Sequence, residues 1–256
     1  GGAVAAVGPA PGAGRDGVFV AHVPGIGLRY LDLFADPPGG RWSTAGGFGG
    51  SISGQFGLYH EQGSGATACV SFVESPPRSW VCLRIPAVGE HMSVDEAALV
   101  ERTALSSDVV GACRAEGPGG GGSEAALALA GGAVRFFDLG TGKAFGKGLK
   151  LEPPAAAGAA VCIAGLAKGR VAVVRQDPSR GCEYFVVALQ QEEEKAGSGG
   201  GGGTRKPALM SQGALTGAIP AGRLSGAAFI GGEEQDRLLL CWQTGAAAEG
   251  GQKKAS

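Results

Sequence analysis

The chain has 256 residues, 44% of them hydrophobic, and a net charge of −1, so it can bury a core in one large or two small domains. Its 22 basic and 23 acidic residues nearly balance and form no basic stripe, which argues against direct nucleic-acid binding. The 50 glycines have no Gly-X-Y period, which excludes collagen and favours many short strands joined by turns. No apolar run reaches the roughly 18–20 residues that a membrane-spanning helix needs.

Residues 1–16 are rich in Gly, Ala and Pro and predict a disordered lead-in. They lack an initiator Met and the charged and apolar regions of a signal peptide, which suggests a fragment or a processed chain. The six cysteines form no CxxC pair and mostly lie in apolar runs. This favours reduced, buried thiols in an intracellular protein, cytoplasmic or nuclear. A Cys69–Cys82 disulfide is geometrically conceivable if their strands are neighbours, although nothing requires it.

In the first part of the chain, apolar runs bounded by Gly and Pro predict strands. These strands are expected at 18–23, 28–33, 41–44, 55–60, 66–73 and 80–85. Residues 48–54 predict a glycine-rich turn. Residues 93–105 are ambiguous, because Ser93 and Glu96 fit a helix capping box whereas 98–105 fits an outer strand. The strand is slightly favoured because it fills a gap in the repeat described below.

The rest of the chain continues the pattern of short strands. They are expected at 108–115, 124–130, 133–139, 144–151, 159–166, 170–175, 183–189, 215–220, 224–230 and 237–242. Glycine tracts predict flexible insertions near 117–123 and 190–204. Residues 246–256 predict a disordered tail.

A repeat of four strands emerges from this order. The third strand of each unit begins near Leu28, Val81, Val134 and Glu183, at intervals of about 50 residues. One four-stranded sheet cannot bury both faces, whereas blades stacked around an axis cover one another. The repeat therefore predicts an all-β fold, a β-propeller of four-stranded antiparallel blades. Another all-β domain, such as a sandwich with an accidental period, is the alternative.

Residues 134–142, with the sequence VRFFDLGTG, resemble the end of a WD repeat, where an aromatic–Asp pair closes the third strand before a Thr-Gly turn. The chain is therefore similar to the WD40 family, in a degenerate form, because no Gly-His pair precedes a first strand. The resemblance implies a propeller over residues 17–245, with Asp32 and Asp138 capping turns. Only about four and a half blades are counted, so we expect an incomplete propeller, part of a longer protein or closed by a partner.

The resemblance implies a non-enzymatic scaffold that mediates protein–protein interactions within a larger complex, with no cofactor, metal or small-molecule substrate expected. A propeller-type hydrolase or oxidoreductase with its site at the central channel is the alternative. The candidate interaction residues are Arg29, Arg135, Trp42 and Trp242. The two arginines occupy the same place in two apolar strands, so they either snorkel outward or point into the channel toward an acidic partner. The two tryptophans also suit packing between blades.

Overall fold

The computed structural model describes residues 4–7, 18–23, 27–32, 39–42, 51–62, 65–88, 91–92, 97–116, 123–166, 168–191, 205–216, 222–232 and 235–244. The regular elements in these ranges are β-strands. They are β1 (Val4–Val7), β2 (Val18–Val23), β3 (Gly27–Asp32), β4 (Gly39–Trp42), β5 (Ser51–Gln62), β6 (Gly65–Ser75), β7 (Ser79–Val88), β8 (His91–Met92), β9 (Ala98–Ala104), β10 (Val109–Glu116), β11 (Ser123–Leu129), β12 (Ala133–Asp138), β13 (Leu149–Lys150), β14 (Ala160–Leu166), β15 (Arg170–Asp177), β16 (Gly181–Gln191), β17 (Arg205–Ala214), β18 (Arg223–Gly232) and β19 (Gln235–Gln243). No helix long and apolar enough to cross a membrane occurs in these ranges.

The strands pair antiparallel, mostly in chain order. Sheet 1 is β1–β4, sheet 3 is β10–β13 and sheet 4 is β14–β17, each with four strands. Sheet 2 contains β5–β9, and its strand β7 pairs with both β8 and β9. Sheet 5 is the two-stranded hairpin β18–β19. The third strands β3, β7, β12 and β16 fall where the repeat predicts them, which confirms the β-propeller of four-stranded antiparallel blades.

The first strands of successive sheets lie beside one another. Strand β1 contacts β5, β5 contacts β10, β10 contacts β14, and β14 contacts β18. The remaining strands of each sheet follow outward from this row. The apolar core consequently lies between neighbouring sheets, as expected for stacked blades.

Sheets 2 and 3 are held together by an aromatic contact. The ring of Trp80 in β7 stacks on Phe137 in β12 with centroids 4.6 Å apart, and Phe56 lies at the edge of this pair. Leu127 and Leu129 of β11 belong to the same buried cluster. Because successive side chains of a strand point to opposite faces, the neighbour Phe136 points the other way.

Phe136 lies in the interface between sheets 3 and 4. It is fully buried together with Val134, against Val173, Phe185 and Val187 of sheet 4. Successive side chains of β12 thus pack into two interfaces, one with sheet 2 and one with sheet 4. The strand is apolar on both faces because both faces are covered.

Sheets 4 and 5 share a smaller cluster and a side-chain clasp. Ala160, Val174 and Leu224 form the buried cluster. The side-chain amide of Gln176 donates to the carbonyl of Gly222 at 2.8 Å and accepts from the backbone N–H of Leu224 at 2.6 Å. One glutamine therefore ties the end of β15 to the beginning of β18.

The structure corrects two predictions in the first part of the chain. Val4–Val7, within the predicted disordered lead-in, forms β1 and pairs with β2, because an apolar segment can satisfy the free backbone edge of that strand. Residues 51–54, predicted as part of a turn, begin β5, which bends at a register shift between Ser53 and Phe56. In the ambiguous segment 93–105 the strand alternative is confirmed by β9.

Two corrections concern outer strands later in the chain. The predicted strand at 144–151 shrinks to β13 (Leu149–Lys150), preceded by a single bridge between Phe137 and Ala144. The outer strand of sheet 4 is β17, upstream of the predicted 215–220, because β16 pairs with it along its length. Of the predicted insertions and tail, 117–122, 192–204 and 246–256 lie outside the described residues. Ser123, Gln190 and Gln191 belong to strands.

Candidate interaction site

Arg135 lies between two sheets. From β12 its Nη1 donates to the carbonyl of Ala104 in sheet 2 at 3.1 Å, and its guanidinium stands 5.1 Å from the centre of the Phe137 ring. Burial lowers the pKa of this arginine. Its side chain thus bridges neighbouring blades, and its predicted role in binding a partner stays a prediction.

Trp242 of β19 faces sheet 4. It is half-buried and packs with Leu238 and Leu240 against the cluster of Ala160 and Val174. Its indole nitrogen is buried and has no hydrogen-bond partner among the described residues. This position supports packing between blades, and an interaction role for Trp242 stays a prediction.

Arg29 and Trp42 stand directly opposite each other in the pairing of β3 with β4. Residues opposite each other in an antiparallel pair share one face of the sheet. Their side chains lie outside the described part of the structure, so their predicted role in binding stays a prediction. The structure brings these two together, whereas Arg135 is in sheet 3 and Trp242 in sheet 5.

The turn after β12 is capped as the sequence predicts. The carboxylate of Asp138 accepts hydrogen bonds from the backbone N–H of Thr141 at 2.6 Å and from its hydroxyl at 2.8 Å. The N–H of Gly142 donates to the carbonyl of Asp138 at 2.7 Å. These hydrogen bonds make the turn after β12 compact, and the turn places Gly140 and Gly142 against sheet 2.

Two buried thiols of sheet 2 meet this turn. Cys69 in β6 donates from its thiol to the carbonyl of Gly140 at 3.2 Å, and Cys82 in β7 lies against Gly142. A hydrogen bond from Cys82 lowers the pKa of Cys69 to about 7, and the same bond together with burial raises that of Cys82. The strands are neighbours, as the disulfide would require, and both cysteines are free thiols.

An open groove of about 560 Å³ lies between the β15–β16 turn, the residues before β14 and the beginning of β18. Asp177 borders it, but its carboxylate is occupied by Ser179, Arg180 and the N–H of Ala156. The Ser179 bonds are the main reason that the pKa of Asp177 lies well below its usual range. The carboxylate therefore holds the turn together. In the described residues, no group of three or more His, Cys, Asp or Glu side chains could hold a metal ion.

Exposed apolar side chains lie on the outermost strands, on sheet 5 and at Val110 of the first strand β10. Leu99 of β9 is 57% exposed, and Leu209 and Met210 of β17 are 41% and 50% exposed. Ile230 and Leu239 of sheet 5 are 55% and 50% exposed. Sequence reasoning missed the β17 pair because it placed no strand at 205–214. The alternation that would show which leucines face outward becomes visible only once the pairing partner is known.

These stacked antiparallel sheets, with their row of first strands, define a module of the β-propeller class. No protein-family model matches the sequence, and no curated protein matches it.

Among solved structures, the WD40 domain of SCAP from fission yeast is similar, with a TM-score of 0.47 and 14% identity over 86% of this chain and 48% of that chain. A chain from the crystal structure of BBS1N in complex with ARL6DN, soaked with lead, has a TM-score of 0.46 and 14% identity over 94% of this chain and 59% of that one. The mercury-soaked crystal gives 0.46 and 14% over 93% and 61%. This chain therefore spans about half to three-fifths of the length of these matches.

Proposed function

We propose that this propeller module is a non-enzymatic scaffold that binds other proteins within a larger complex, inside the cell in the cytoplasm or nucleus. The observation that carries the proposal is the exposure of large apolar side chains on outermost strands, at Leu99 and Leu209. The free thiols of all six cysteines support the intracellular location.

Outermost strands are suited to binding for two physical reasons. Among the described residues, each has one edge whose backbone N–H and C=O groups pair with no further strand. Apolar side chains exposed beside such a row gain free energy when a partner covers them, whereas the backbone supplies direction and register.

The test is affinity capture of the tagged 256-residue chain from extracts of its native source, with cross-linking and mass spectrometry. We expect stoichiometric partner proteins whose cross-links map to β9 or β17. Leu99→Lys and Leu209→Lys should remove them, whereas Gln212→Lys, which adds the same charge at an exposed position of β17, should not. A chain recovered without partners would contradict the proposal.

A further inference from the structure

Two buried cysteines lie side by side on the face of sheet 2 that packs against sheet 3. Cys69 in β6 stands opposite Arg84 in β7, and Cys82 is two residues before Arg84 on the same face. The two cysteines are therefore diagonal neighbours across the β6–β7 pair. Their thiols are joined by a hydrogen bond. We call Cys69 and Cys82 the thiol pair.

The thiol pair lies at the polar end of this interface, whose other end is the aromatic contact described above. The carbonyl of Gly140 accepts the hydrogen bond from Cys69 at 3.2 Å, and the side chain of Arg84 is exposed beside it. Ser71 stands opposite Cys82 in the strand pairing. Its hydroxyl is buried and has no hydrogen-bond partner among the described residues. The thiols are thus surrounded by polar atoms.

These surroundings make Cys69 the reactive member of the thiol pair. A hydrogen bond from Cys82, supported by a hydrogen bond and the positive charge of Arg84, lowers the pKa of Cys69 to about 7. A large fraction of Cys69 is therefore thiolate at neutral pH, and the thiolate is the nucleophile. The pKa of Cys82 is raised, so this thiol keeps its proton. Cys113 of β10 lies among apolar side chains, and burial raises its pKa to about 12.

A small oxidant reaches the thiol pair from the side of the turn after β12. This turn covers the pair, with Gly140 on Cys69 and Gly142 against Cys82. The thiols are buried, at 2% and 0% exposure of their residues, whereas Thr141 at the tip of the turn is exposed. Hydrogen peroxide is close to water in size. A displacement of the turn, with every strand in place, is enough to admit it.

We propose that the thiol pair is a site of reversible oxidation by hydrogen peroxide, at which Cys69 reacts first and Cys82 then forms a disulfide bond with it. In the first step, the thiolate sulfur of Cys69 attacks one peroxide oxygen and the O–O bond breaks. Cys69 becomes a sulfenic acid, and the released hydroxide takes up a proton to form water.

The second step closes the disulfide. The sulfur of Cys82 attacks the sulfur of the sulfenic acid, the S–O bond breaks, and water leaves with the thiol proton of Cys82. The two thiols lose two electrons in total, and the peroxide gains them. A thiol reductant reverses the reaction by exchange with the disulfide.

The disulfide changes the contact between sheets 2 and 3. An oxidised Cys69 has no thiol proton, so the carbonyl of Gly140 loses its donor. The turn after β12 is then held less firmly against sheet 2, although Asp138 still caps it. We expect faster amide exchange at residues 141–143 in the oxidised chain than in the reduced chain.

The test is treatment of the full 256-residue chain with hydrogen peroxide at neutral pH, followed by blocking of the remaining thiols and peptide mapping. The exposed Cys241 is replaced by Ser, which prevents disulfides between chains. We expect a disulfide that joins the tryptic peptides 42–78 and 79–84 and that dithiothreitol reverses. Cys69 should be oxidised about tenfold or more faster than Cys113, the internal control, because Cys69 is partly thiolate.

Two variants separate the roles of the neighbouring groups. In Cys82→Ser the reaction should stop at the sulfenic acid of Cys69, which dimedone labels. Arg84→Gln should slow the oxidation of Cys69 about threefold or more, because it removes the positive charge beside the thiolate. The matched control Arg78→Gln removes an exposed charge at the turn before β7 and should leave the rate unchanged.

Oxidation of Cys69 no faster than that of Cys113, or a disulfide between Cys69 and a cysteine other than Cys82, overturns the inference. Equal rates in Arg84→Gln and Arg78→Gln would contradict the role of the charge. Amide exchange compares the reduced and oxidised chains with the thiol pair intact, so unchanged exchange at 141–143 would exclude an effect on the interface. None of these measurements involves a partner protein, so the proposed scaffold function is tested separately.

Discussion

Gly142 has no room for a side chain. Its φ of +72° lies in the left-handed region, and an added Cβ would collide with the Cβ of Cys82 and lie 2.8 Å from that of Glu101. Both neighbours belong to sheet 2, whereas Gly142 belongs to the turn that closes β12. Glycine thus permits a close approach between two blades as well as the turn itself.

We expect Gly142→Ala to destabilise the chain by roughly 2–4 kcal/mol, of which about 1–2 kcal/mol is the cost of positive φ. Gly146→Ala is the matched control, because its φ is +66° and nothing lies within 4 Å of the added Cβ. Gly146→Ala should lose only the stability that the positive φ costs. Urea unfolding measures both, and equal losses would show that the contact with sheet 2 is unimportant.

Asp177 makes the chain sensitive to acid. Hydrogen bonds from Ser179 and Arg180 hold its folded-state pKa well below the ordinary 3.8. As the pH falls below about 3.8, the unfolded chain binds the proton first, so stability present at neutral pH is lost toward the folded pKa. Asp177→Asn should flatten the decline of the unfolding free energy between about pH 4 and about pH 2. It should also lower the stability at pH 7.

The control for Asp177→Asn is Asp108→Asn, which removes the carboxylate of an exposed ion pair with Arg78. Exposed pairs contribute about 0–1 kcal/mol, so this variant should keep the pH profile of the parent. Thermal melts across the pH range compare the two. A parent-like profile for Asp177→Asn would contradict the argument.

The role of a single residue could be predicted from the sequence where its hydrogen-bond partner lies close along the chain. Asp138 caps its own turn through Thr141, three residues away, and the sequence contains both partners. The position of Arg135 could not be predicted, because its hydrogen-bond acceptor is the carbonyl of Ala104 in another sheet. That position depends on how far apart two blades pack, which no local pattern specifies.

At the scale of elements, the Gln176 clasp attaches sheet 5 to the rest of the molecule. Gln176→Ala would leave the buried N–H of Leu224 without its acceptor, at a cost of about 1–3 kcal/mol. We expect faster amide exchange throughout 223–243 and unchanged exchange in β11 and β12. The control Gln190→Ala removes an amide that contacts Met210, and it should not affect sheet 5. Similar exchange in both variants would exclude the clasp as the attachment.

Most inner and middle strands were predictable apart from β1, whereas the outer strands β13 and β17 were not. Middle strands such as β15 are buried on both faces and give continuous apolar runs. Outer strand β17 has mostly exposed side chains, so its sequence carries little hydrophobic pattern. Strand β9 was ambiguous for the same reason, and its pairing with β7 settled what its sequence left open.

At the scale of the whole molecule, stability should vary along the stack. Sheets 3 and 4 are covered on both sides, whereas sheet 5 is covered on one side among the described residues. In stacked repeats, each unit is stabilised mainly by its neighbours. We therefore expect hydrogen exchange to be slowest in β11, β12 and β15 and fastest in β18 and β19. Uniform protection across the sheets would indicate a single cooperative unit instead.

The repeat of about 50 residues was enough to predict the stack, because every sheet needs the same sequence of strands. It did not reveal β1, whose four residues resemble the Gly- and Ala-rich segment around them.

The alternation of β12 has a consequence for how such chains vary in evolution. Phe137 packs on Trp80 in one neighbouring sheet, and Phe136 packs on Val173 and Phe185 in the other. A change of volume at either position is therefore compensated by a different blade. Among homologues we expect position 137 to covary with 80, and position 136 with 173 and 185, so that two adjacent residues drift independently of each other.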